Sequence, residues 1–454
     1  MKSERAIPKS GASPARIAAF DVLLQVARKN SYASELLHSR AYQDLSAADH
    51  RLATELVMGT LRWQSRLDQY IEQFSAQPFS KLDPEVVAAL RLALYQLHYL
   101  DRIPSRAAVN ESVELVKRAR KISAAPFVNA VLRRAGKAAN PADLVATAPS
   151  SAEDIASRLS HPRWMVERWV QHLGMEAAQG LCCYDQQVPE TAVRITRSDD
   201  IAQLQASGAA LAAGRILTSA RIVRSGDITS AAAFREGRIA IQDEASQLVA
   251  LLVGHGKNVL DCCAAPGGKT RILAERNPEA RIVAAELHPH RARLLRKLVR
   301  NQNVMVLAAD ARSLPLHFQF DRVLLDAPCS GTGTLARNPD IKWRLRPEHL
   351  SDLQGRQLAL LRSAMNQVAP GGRLVYATCS LEPEENETVV ESALADRTDF
   401  QILECSEELQ RLKDAGELAI EDLSSLTRGP YLRTTPGIHH CDGFFAAMLE
   451  KFAT

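Results

Sequence analysis

The chain has 454 residues, of which 46% are hydrophobic and 24% are charged, and its formal net charge is +4. This length exceeds what one hydrophobic core usually needs, so we expect two or three domains. The composition excludes collagenous and disordered chains. No apolar run approaches the roughly 18 residues of a membrane span, and Asp21 interrupts the one near the start, so we expect a cytoplasmic protein.

Eight cysteines are too sparse in a chain of this length for a disulfide scaffold. The pairs Cys182–Cys183 and Cys262–Cys263 are adjacent, and no C-x-x-C spacing typical of zinc ligands is present. We therefore predict reduced thiols and no metal site. Most such cysteines are small core residues, and we interpret those outside the motifs below as structural.

The first 140 residues predict an all-helical domain. The stretches "ARIAAFDVLLQVA" and "DPEVVAALRLALYQLHYL" repeat apolar residues at helical spacing. Residues 1–145 carry 21 basic and 14 acidic side chains, against 35 and 38 in the remainder. This excess fits either a polyanion-binding module or an ordinary solvated surface. Its basic cluster comprises Lys117, Arg118, Arg120, Lys121, Arg133 and Arg134.

The chain changes character after this block. Residues 141–160, rich in Ala and Pro, are predicted to be a linker. Residues 161–236 are predicted to form a small α+β middle domain, with a helix in "HPRWMVERWVQHLG" closed by Gly174 and strands in "TAVRIT" and "ARIVRS".

From residue 237 to residue 454, apolar runs alternate with helix-length segments. The runs are "NVLDCCAAPGGKT", "ARIVAAE", "NVMVLAAD", "DRVLLDAP" and "GRLVYATCS". Such an order predicts a Rossmann-like α/β domain, in which a doubly wound parallel sheet is covered by helices on both faces.

The loop "DCCAAPGGKT" follows the first of these strands and opens a helix at Lys269. Glycines admit a ligand close to the backbone. A phosphate-binding P-loop would need a glycine where Cys263 stands, and no G-x-G-x-x-G is present. These departures argue against an NTP-driven RNA remodeller and favour a cofactor without a pyrophosphate.

Three acids lie at the ends of successive predicted strands: Glu286, Asp310 and Asp326. Ligands of doubly wound sheets bind outside the carboxyl ends of the strands, where a carboxylate can accept hydrogen bonds from ribose hydroxyls. A single such acid is commonly a helix cap. Three in succession favour a nucleoside cofactor.

Two motifs each place a cysteine just past a strand: "DAPCSGTGTLARNPDIKW" and "YATCSLEPEENE". Together with "DCCAAPGGKT", "IQDEASQ" and "DGFFAAMLE", they resemble bacterial RNA cytosine-C5 methyltransferases that use S-adenosylmethionine. The helical N-terminal third resembles the NusB-like RNA-binding extension of the RsmB/Sun (Fmu) branch. That branch modifies small-subunit ribosomal RNA.

The resemblance implies specific roles. Cys379 is the nucleophile that adds to C6 of cytosine, Cys329 assists release of the product, and Asp326 hydrogen-bonds the base. In DNA cytosine methyltransferases the nucleophile comes from the Pro-Cys motif instead, so chemistry alone leaves the two cysteines interchangeable. The expected S-adenosylmethionine site comprises Cys263, Ala264, Ala265, Pro266, Gly267, Gly268, Lys269, Glu286, Asp310 and Asp326.

Other RNA contacts are less defined by the sequence. The resemblance puts Lys269 near the methyl donor or the target base, and Lys342 can reach the RNA backbone, although either lysine can also be a solvated surface charge. The basic run "HRARLLRKLVR" is interpreted as the exposed face of a sheet-covering helix. Where the family usually has Arg-x-Asn, this chain has Arg194, Ile195 and Thr196, so a middle-domain contact is in doubt.

We therefore predict a monomeric enzyme that makes 5-methylcytidine in small-subunit ribosomal RNA. Two alternatives remain: a transfer-RNA cytosine-C5 methyltransferase, and a catalytically inactive NusB-like RNA-binding or ribosome-assembly factor. Intact Cys329 and Cys379 argue against the inactive factor, because it needs neither thiol.

Overall fold

The computed structural model describes residues 11–29, 31–137 and 149–453. Its contacts divide the chain into two compact units. The helical unit consists of Met1–Val188 with Leu335–Arg344, and the sheet unit consists of Pro189–Thr334 with Leu345–Thr454. Across the described ranges, no helix is both long and apolar enough to cross a lipid bilayer.

The helical unit confirms the all-helical N-terminal third. Its first seven helices are α1 (Pro14–Lys29), α2 (Ala33–Leu37), α3 (Ala47–Arg62), α4 (Gln64–Phe74), α5 (Pro84–Tyr99), α6 (Ser105–Arg118) and α7 (Ala125–Ala135). Ser46 begins α3 by accepting a hydrogen bond from the backbone N–H of Asp49, and Pro84 occupies the first position of α5. The apolar stripes bury Phe20, Leu56 and Leu90 in one core.

The boundary between the units differs from the expected one. Residues 141–148 of the predicted linker lie outside the described residues, while Ala152–Arg158 form helix α8. The predicted helix after residue 161 is present as α9 (Arg163–Leu173), but it and α10 (Met175–Asp185) belong to the helical unit. Their buried Trp169 and Leu181 need apolar partners, and sequence periodicity does not reveal which domain supplies them.

The sheet unit begins with a small antiparallel sheet in the order β2-β3-β1-β4. Its strands are β1 (Thr191–Arg194), β2 (Ala210–Ala213), β3 (Ala220–Ser225) and β4 (Ala240–Ile241), accompanied by α11 (Ser198–Ala206) and α12 (Ala232–Arg235). Both strands predicted from "TAVRIT" and "ARIVRS" are present as β1 and β3.

The larger sheet confirms the Rossmann-like prediction. Five parallel strands lie in the order β7-β6-β5-β8-β9, and β13 runs antiparallel beside β9. The strands are β5 (Asn258–Asp261), β6 (Arg281–Glu286), β7 (Val304–Ala308), β8 (Phe320–Asp326), β9 (Val368–Thr378), β10 (Phe400–Leu403), β11 (Thr427–Arg428), β12 (Tyr431–Thr434) and β13 (Phe444–Lys451). Their helices are α13 (Glu244–Leu252), α14 (Gly268–Arg276), α15 (Pro289–Leu298), α17 (Glu348–Asn366), α18 (Glu387–Leu394) and α19 (Cys405–Asp414).

The order of these strands positions the site. The chain starts at β5 in the middle of the sheet, continues to β6 and β7 on one side, and then returns to β8 and β9 on the other. Such a reversal opens a crevice at the carboxyl ends of the strands. Strand β6 buries Ile282 to Glu286 on both faces, as a covered parallel strand should.

Candidate active site

The carboxyl ends of the parallel strands border a cleft of about 820 Å³ in the sheet unit. A recess of about 160 Å³ lies against the glycine loop, and the two cavities share Cys263, Ala265, Lys269 and Asp326. Of the ten residues expected to bind the cofactor, nine line one or both cavities: Cys263, Ala264, Ala265, Pro266, Gly268, Lys269, Glu286, Asp310 and Asp326.

The tenth residue, Gly267, makes the tight turn itself. Its φ of +112° lies in the left-handed region, and a Cβ built there would come within 2.6 Å of Val299 and 2.7 Å of Leu295. The turn thus packs against α15 where only glycine fits. It leads directly into α14, whose N-terminal amides lie beside the recess lined by Gly268 and Lys269.

The strand-end acids fit a nucleoside cofactor. Glu286 is buried at the end of β6, and its Oε1 accepts a hydrogen bond from the backbone N–H of His288 at 3.0 Å. Asp310 lies two residues beyond β7, where the Arg312 guanidinium contacts both of its carboxylate oxygens at 2.6 to 3.0 Å. These hydrogen bonds hold the pKa of Asp310 below its usual value, so this carboxylate is suited to accept from hydroxyl or amino groups.

The two motif cysteines meet at one end of the cleft. Strands β8 and β9 are parallel neighbours, with Asp326 in register with Ala377. Cys329 lies three residues beyond β8 and Cys379 directly follows β9, so their Sγ atoms are 3.3 Å apart. Both are free thiols and half-buried. The structure therefore brings together the pair that sequence motifs placed 50 residues apart.

A half-buried ion pair lies beside the thiols. The Lys269 ammonium donates to Asp326 Oδ2 at 2.7 Å and lies 4.9 Å from the centre of the Phe444 ring. Burial opposes the charged form of Lys269, but the carboxylate of Asp326, its hydrogen bond and the nearby Cys379 raise the pKa of the lysine. Lys269 is thus a cation held within the cleft rather than a solvated surface charge.

The surroundings of Cys329 disfavour its ionised form, whereas those of Lys269 favour the charged ammonium. Its hydrogen bond with Cys379, its burial and the negative charges of Cys379, Glu385 and Asp326 hold the pKa of Cys329 well above its ordinary value. Cys329 therefore stays a neutral thiol near pH 7.

Asp261, at the end of β5, is buried beneath the glycine loop. Its Oδ2 accepts a hydrogen bond from the Thr270 hydroxyl at 2.7 Å, which ties β5 to the first turn of α14. Burial raises the pKa of Asp261 to about 7, with Asp326 adding a smaller contribution in the same direction. This contact fixes the loop that borders the cofactor recess.

Lys342 is not in the cleft, and the predicted reach to RNA is wrong. The lysine belongs to the helical unit, is 1% exposed, and donates to the carbonyl oxygens of Arg62 and Ser160 at 2.9 Å each. Burial lowers its pKa to about 7. The neighbouring Trp343 Nε1 donates to Leu61 O at 2.6 Å, so the end of the "NPDIKW" motif, within helix α16 (Ile341–Arg344), is an internal part of that unit.

The cysteines outside the two motifs divide between the core and the cleft. Cys182, Cys405 and Cys441 are buried and Cys183 is half-buried, whereas Cys262, interpreted as structural from the sequence, is buried and also lines the cleft. Arg194 is buried and pairs with Glu275 Oε2 at 3.0 Å. No group of three potential metal ligands occurs among the residues that the structure describes.

Sequence reasoning missed several cleft residues. Leu287, His288 and Arg312 follow the strand-end acids Glu286 and Asp310, so their position after a strand was a usable signal. Leu353, Arg356 and Leu360 lie on α17, and nothing local distinguishes them from other helix residues. Phe444 stands in the quoted motif "DGFFAAMLE", but its place beside Lys269 depends on the pairing of β13 with β9.

The comparisons with known proteins agree with this geometry. Residues 248–450 match the family 16S rRNA methyltransferase RsmB/F, and residues 13–137 match the NusB family. A probable ribosomal RNA small subunit methyltransferase B from Bacillus subtilis (strain 168) is 34% identical, covering 95% of this chain and 98% of that protein. The ribosomal RNA small subunit methyltransferase B of Pseudomonas syringae pv. tomato is 35% identical, covering 89% and 90%.

Solved structures add support for the fold. The crystal structure of PH0851 matches with a TM-score of 0.77 at 24% identity, covering 98% of this chain and 100% of that one. With a glycine loop, strand-end acids and a nucleoside-sized cleft in place, the chain belongs to the RsmB/F family of S-adenosylmethionine-dependent RNA methyltransferases and carries its NusB-like N-terminal domain.

Proposed function

We propose that this protein methylates C5 of a cytosine in small-subunit ribosomal RNA through a covalent adduct between Cys379 and C6 of the base. The observation that carries the proposal is the pair of thiols 3.3 Å apart beside the Lys269–Asp326 ion pair. The names of the relatives supply the substrate class.

The chemistry of cytosine explains the need for a thiol. C5 of an unmodified cytosine is a poor nucleophile, and a thiolate that adds to C6 pushes electron density onto C5. Bound S-adenosylmethionine supplies the electrophilic methyl group. The C5 proton then leaves, the bond between sulfur and C6 breaks, and the double bond between C5 and C6 is restored.

The charges in the cleft support the division of labour between the thiols. The Lys269 cation lies near Cys379, where it can stabilise negative charge that develops around the attacking sulfur and the base. Cys329 keeps its proton because its pKa is raised. Cys379 is therefore the better nucleophile, and Cys329 remains available to assist release of the methylated base.

Asp326 is suited to hold the base. Its Oδ2 accepts from Lys269, which leaves the carboxylate able to accept from N3–H or the exocyclic amine of a cytosine activated by protonation. Glu286 and Asp310 are assigned to the nucleoside part of the cofactor, and the glycine-loop residues to its remainder.

The helical unit is assigned to RNA binding. Of its basic cluster, Lys117, Arg118 and Lys121 pair with Glu114, Asp21 and Asp83. Arg120, Arg133 and Arg134 are exposed and form no ion pair within the described part of the chain. These three guanidinium groups are therefore available to phosphates.

Nucleoside mass spectrometry tests the proposal. Unmodified small-subunit ribosomal RNA and transfer RNA are incubated separately with S-adenosylmethionine and the wild-type protein, the Cys379→Ala variant or the control Cys183→Ala, whose half-buried cysteine lies in the helical unit. We expect 5-methylcytidine in ribosomal RNA with the wild type and the control. 5-Methylcytidine in transfer RNA alone would mean that transfer RNA, and not ribosomal RNA, is the substrate. No 5-methylcytidine in either RNA would support the alternative of an inactive binding factor.

A further inference from the structure

Glu385 is a buried carboxylate between the two cysteine loops. It lies in the turn Pro383–Glu385 after β9 and is 0% exposed. Its Oε1 accepts from the Ser330 N–H and from Gln357 Nε2, each at 2.8 Å, and its Oε2 accepts from the hydroxyls of Ser330 and Ser380. Four donors converge on this group, and the two carboxylate oxygens have enough lone pairs to accept all four hydrogen bonds.

The donors to Glu385 connect it to both thiols. Ser330 directly follows Cys329, and Ser380 directly follows Cys379. One carboxylate therefore ties together two loops that are 50 residues apart in the chain. A further bond between the loops, from the Gly333 N–H to Cys379 O at 2.9 Å, limits their sliding past each other.

Glu385 is itself held in place. The Tyr376 hydroxyl donates to its backbone carbonyl at 2.6 Å. Gln357, on α17, donates to both Glu385 and Pro328 O, the residue before Cys329. The carboxylate is thus anchored to β9 and α17, elements that do not themselves carry a thiol.

We propose that Glu385 is a positioning residue, which fixes the loops of Cys329 and Cys379 relative to each other so that both thiols face the same bound base. This inference rests on the proposed function of the two thiols. Small displacements of reacting groups cost large factors in rate, and a buried, fully bonded carboxylate resists such displacements better than a flexible loop.

The charge of Glu385 has a second consequence. It is one of the negative groups that raise the pKa of Cys329, after the hydrogen bond with Cys379 and burial. Removing the charge while retaining the shape of the side chain should therefore make Cys329 easier to ionise. A group that served only to fill space would have no such effect.

The test is the Glu385→Gln variant, compared with the wild type and with Glu391→Gln, an exposed carboxylate on α18. The amide has similar volume, but its NH2 group faces donors. We expect kcat for methyl transfer to fall about 10²-fold. The KM values for RNA and S-adenosylmethionine should stay within about twofold because Glu385 does not line the cleft. The control should behave as the wild type.

A second readout does not depend on turnover. Alkylation of Cys329 by iodoacetamide is followed across pH by mass spectrometry of the tryptic peptide 323–337, in which Cys329 is the sole cysteine. We expect the midpoint of the alkylation profile to move to lower pH in Glu385→Gln and to stay unchanged in Glu391→Gln. General loosening would change the rate at every pH without moving the midpoint.

The outcomes separate this inference from the proposed function. If the wild type makes no 5-methylcytidine, the proposed function fails, yet the alkylation midpoint still tests Glu385. Wild-type kcat and an unmoved midpoint in Glu385→Gln would overturn the inference. If that variant does not fold, Ser380→Ala decides instead. A fall of kcat by about tenfold at unchanged KM supports the positioning role of Glu385, and wild-type kcat rejects it.

Discussion

The cleft of the sheet unit and the interior of the helical unit each hold a lysine from one of the motifs that resemble the methyltransferase family. Lys269 pairs with the Asp326 carboxylate, and its pKa is raised. Lys342 receives only the carbonyl oxygens of Arg62 and Ser160 as hydrogen-bond acceptors, and its pKa is lowered to about 7. A lysine thus remains a cation where a hydrogen-bonded carboxylate compensates its desolvation. It tends to lose its proton where its hydrogen bonds go to neutral carbonyls and the nearby Asp185 carboxylate only partly offsets burial.

This difference distinguishes the candidate active site from a contact that stabilises the interior of the helical unit. The cleft combines a cation, a carboxylate and two thiols within reach of one ligand. The surroundings of Lys342 instead join the "NPDIKW" motif to the helices of its unit. Variants of the two regions should therefore affect different observables.

The largest expected effect comes from Cys379, the proposed nucleophile. Cys379→Ala should lower methyl transfer by more than about 10³-fold, because no other group replaces the thiolate. Its stability should change by less than about 1 kcal/mol, since the side chain is half-buried and only sulfur is lost. Single-turnover transfer from radiolabelled S-adenosylmethionine measures the first effect and thermal melting the second. Undiminished transfer would reject Cys379 as the nucleophile.

Replacing Lys269, the cation of the cleft, should have the next largest effect on activity. Lys269→Met should reduce kcat by about 10²-fold, because it removes the positive charge beside Cys379 and leaves Asp326 unpaired. Lys297→Met, on the exposed face of α15, is the matched control and should keep full activity. Steady-state kinetics on ribosomal RNA distinguish the two variants. Equal activities would mean that the ion pair is only structural.

Lys342 should change how the unfolding free energy depends on pH. Between its folded pKa of about 7 and the unfolded value of about 10.4, the unfolded chain holds a proton that the folded chain has released. The unfolding free energy of the wild type relative to Lys342→Met should therefore rise with pH across this window, by up to about 1.4 kcal/mol per pH unit.

Tryptophan fluorescence measures that difference selectively. The four tryptophans, Trp63, Trp164, Trp169 and Trp343, all belong to the helical unit, so their emission during urea unfolding reports on that unit. Lys297→Met again serves as the control. A difference that stays constant from pH 7 to pH 9 would show that Lys342 keeps the same charge in both states.

The smallest effect is expected from the exposed arginines of the helical unit. The double variant Arg133→Gln and Arg134→Gln should weaken binding to ribosomal RNA and reduce the slope of log affinity against log salt by about 1 to 2. A filter-binding titration at several salt concentrations measures both. An unchanged slope would remove these residues from the RNA interface. Deleting residues 1–140 is a poorer test, because it removes Arg62 and Leu61, whose carbonyl oxygens accept hydrogen bonds from Lys342 and Trp343.

Much of the catalytic half could be predicted from the sequence. The glycine loop follows a buried strand, the three acids stand at or just beyond the ends of β6, β7 and β8, and the cysteines follow β8 and β9. Carboxyl ends of parallel strands share one edge of a sheet, so local patterns were sufficient to gather these residues. Even there, Asp310 lies two residues past its strand and is engaged by Arg312, a detail that strand periodicity does not contain.

The helical half was predictable in type but not in extent. Apolar spacing indicated helices, including the one after residue 161, but it does not state which core a helix joins. Lys342 shows the same limit at the scale of one residue: a lysine in a polar motif normally reaches solvent, yet its partners lie 280 residues away in Arg62 and 182 away in Ser160.

The sequence by itself determined the fold class and placed the glycine loop, the three acids and the two cysteines at the ends of locally recognisable strands, while the resemblance to a known family supplied the cofactor and the choice of nucleophile. Only the tertiary structure decided that Lys269 is a paired cation, that Lys342 is an internal support, and that Glu385 links the two thiol loops. Each of these roles depends on which neutral or charged groups surround a buried charge. Those neighbours are brought together by long-range packing, which no local pattern encodes.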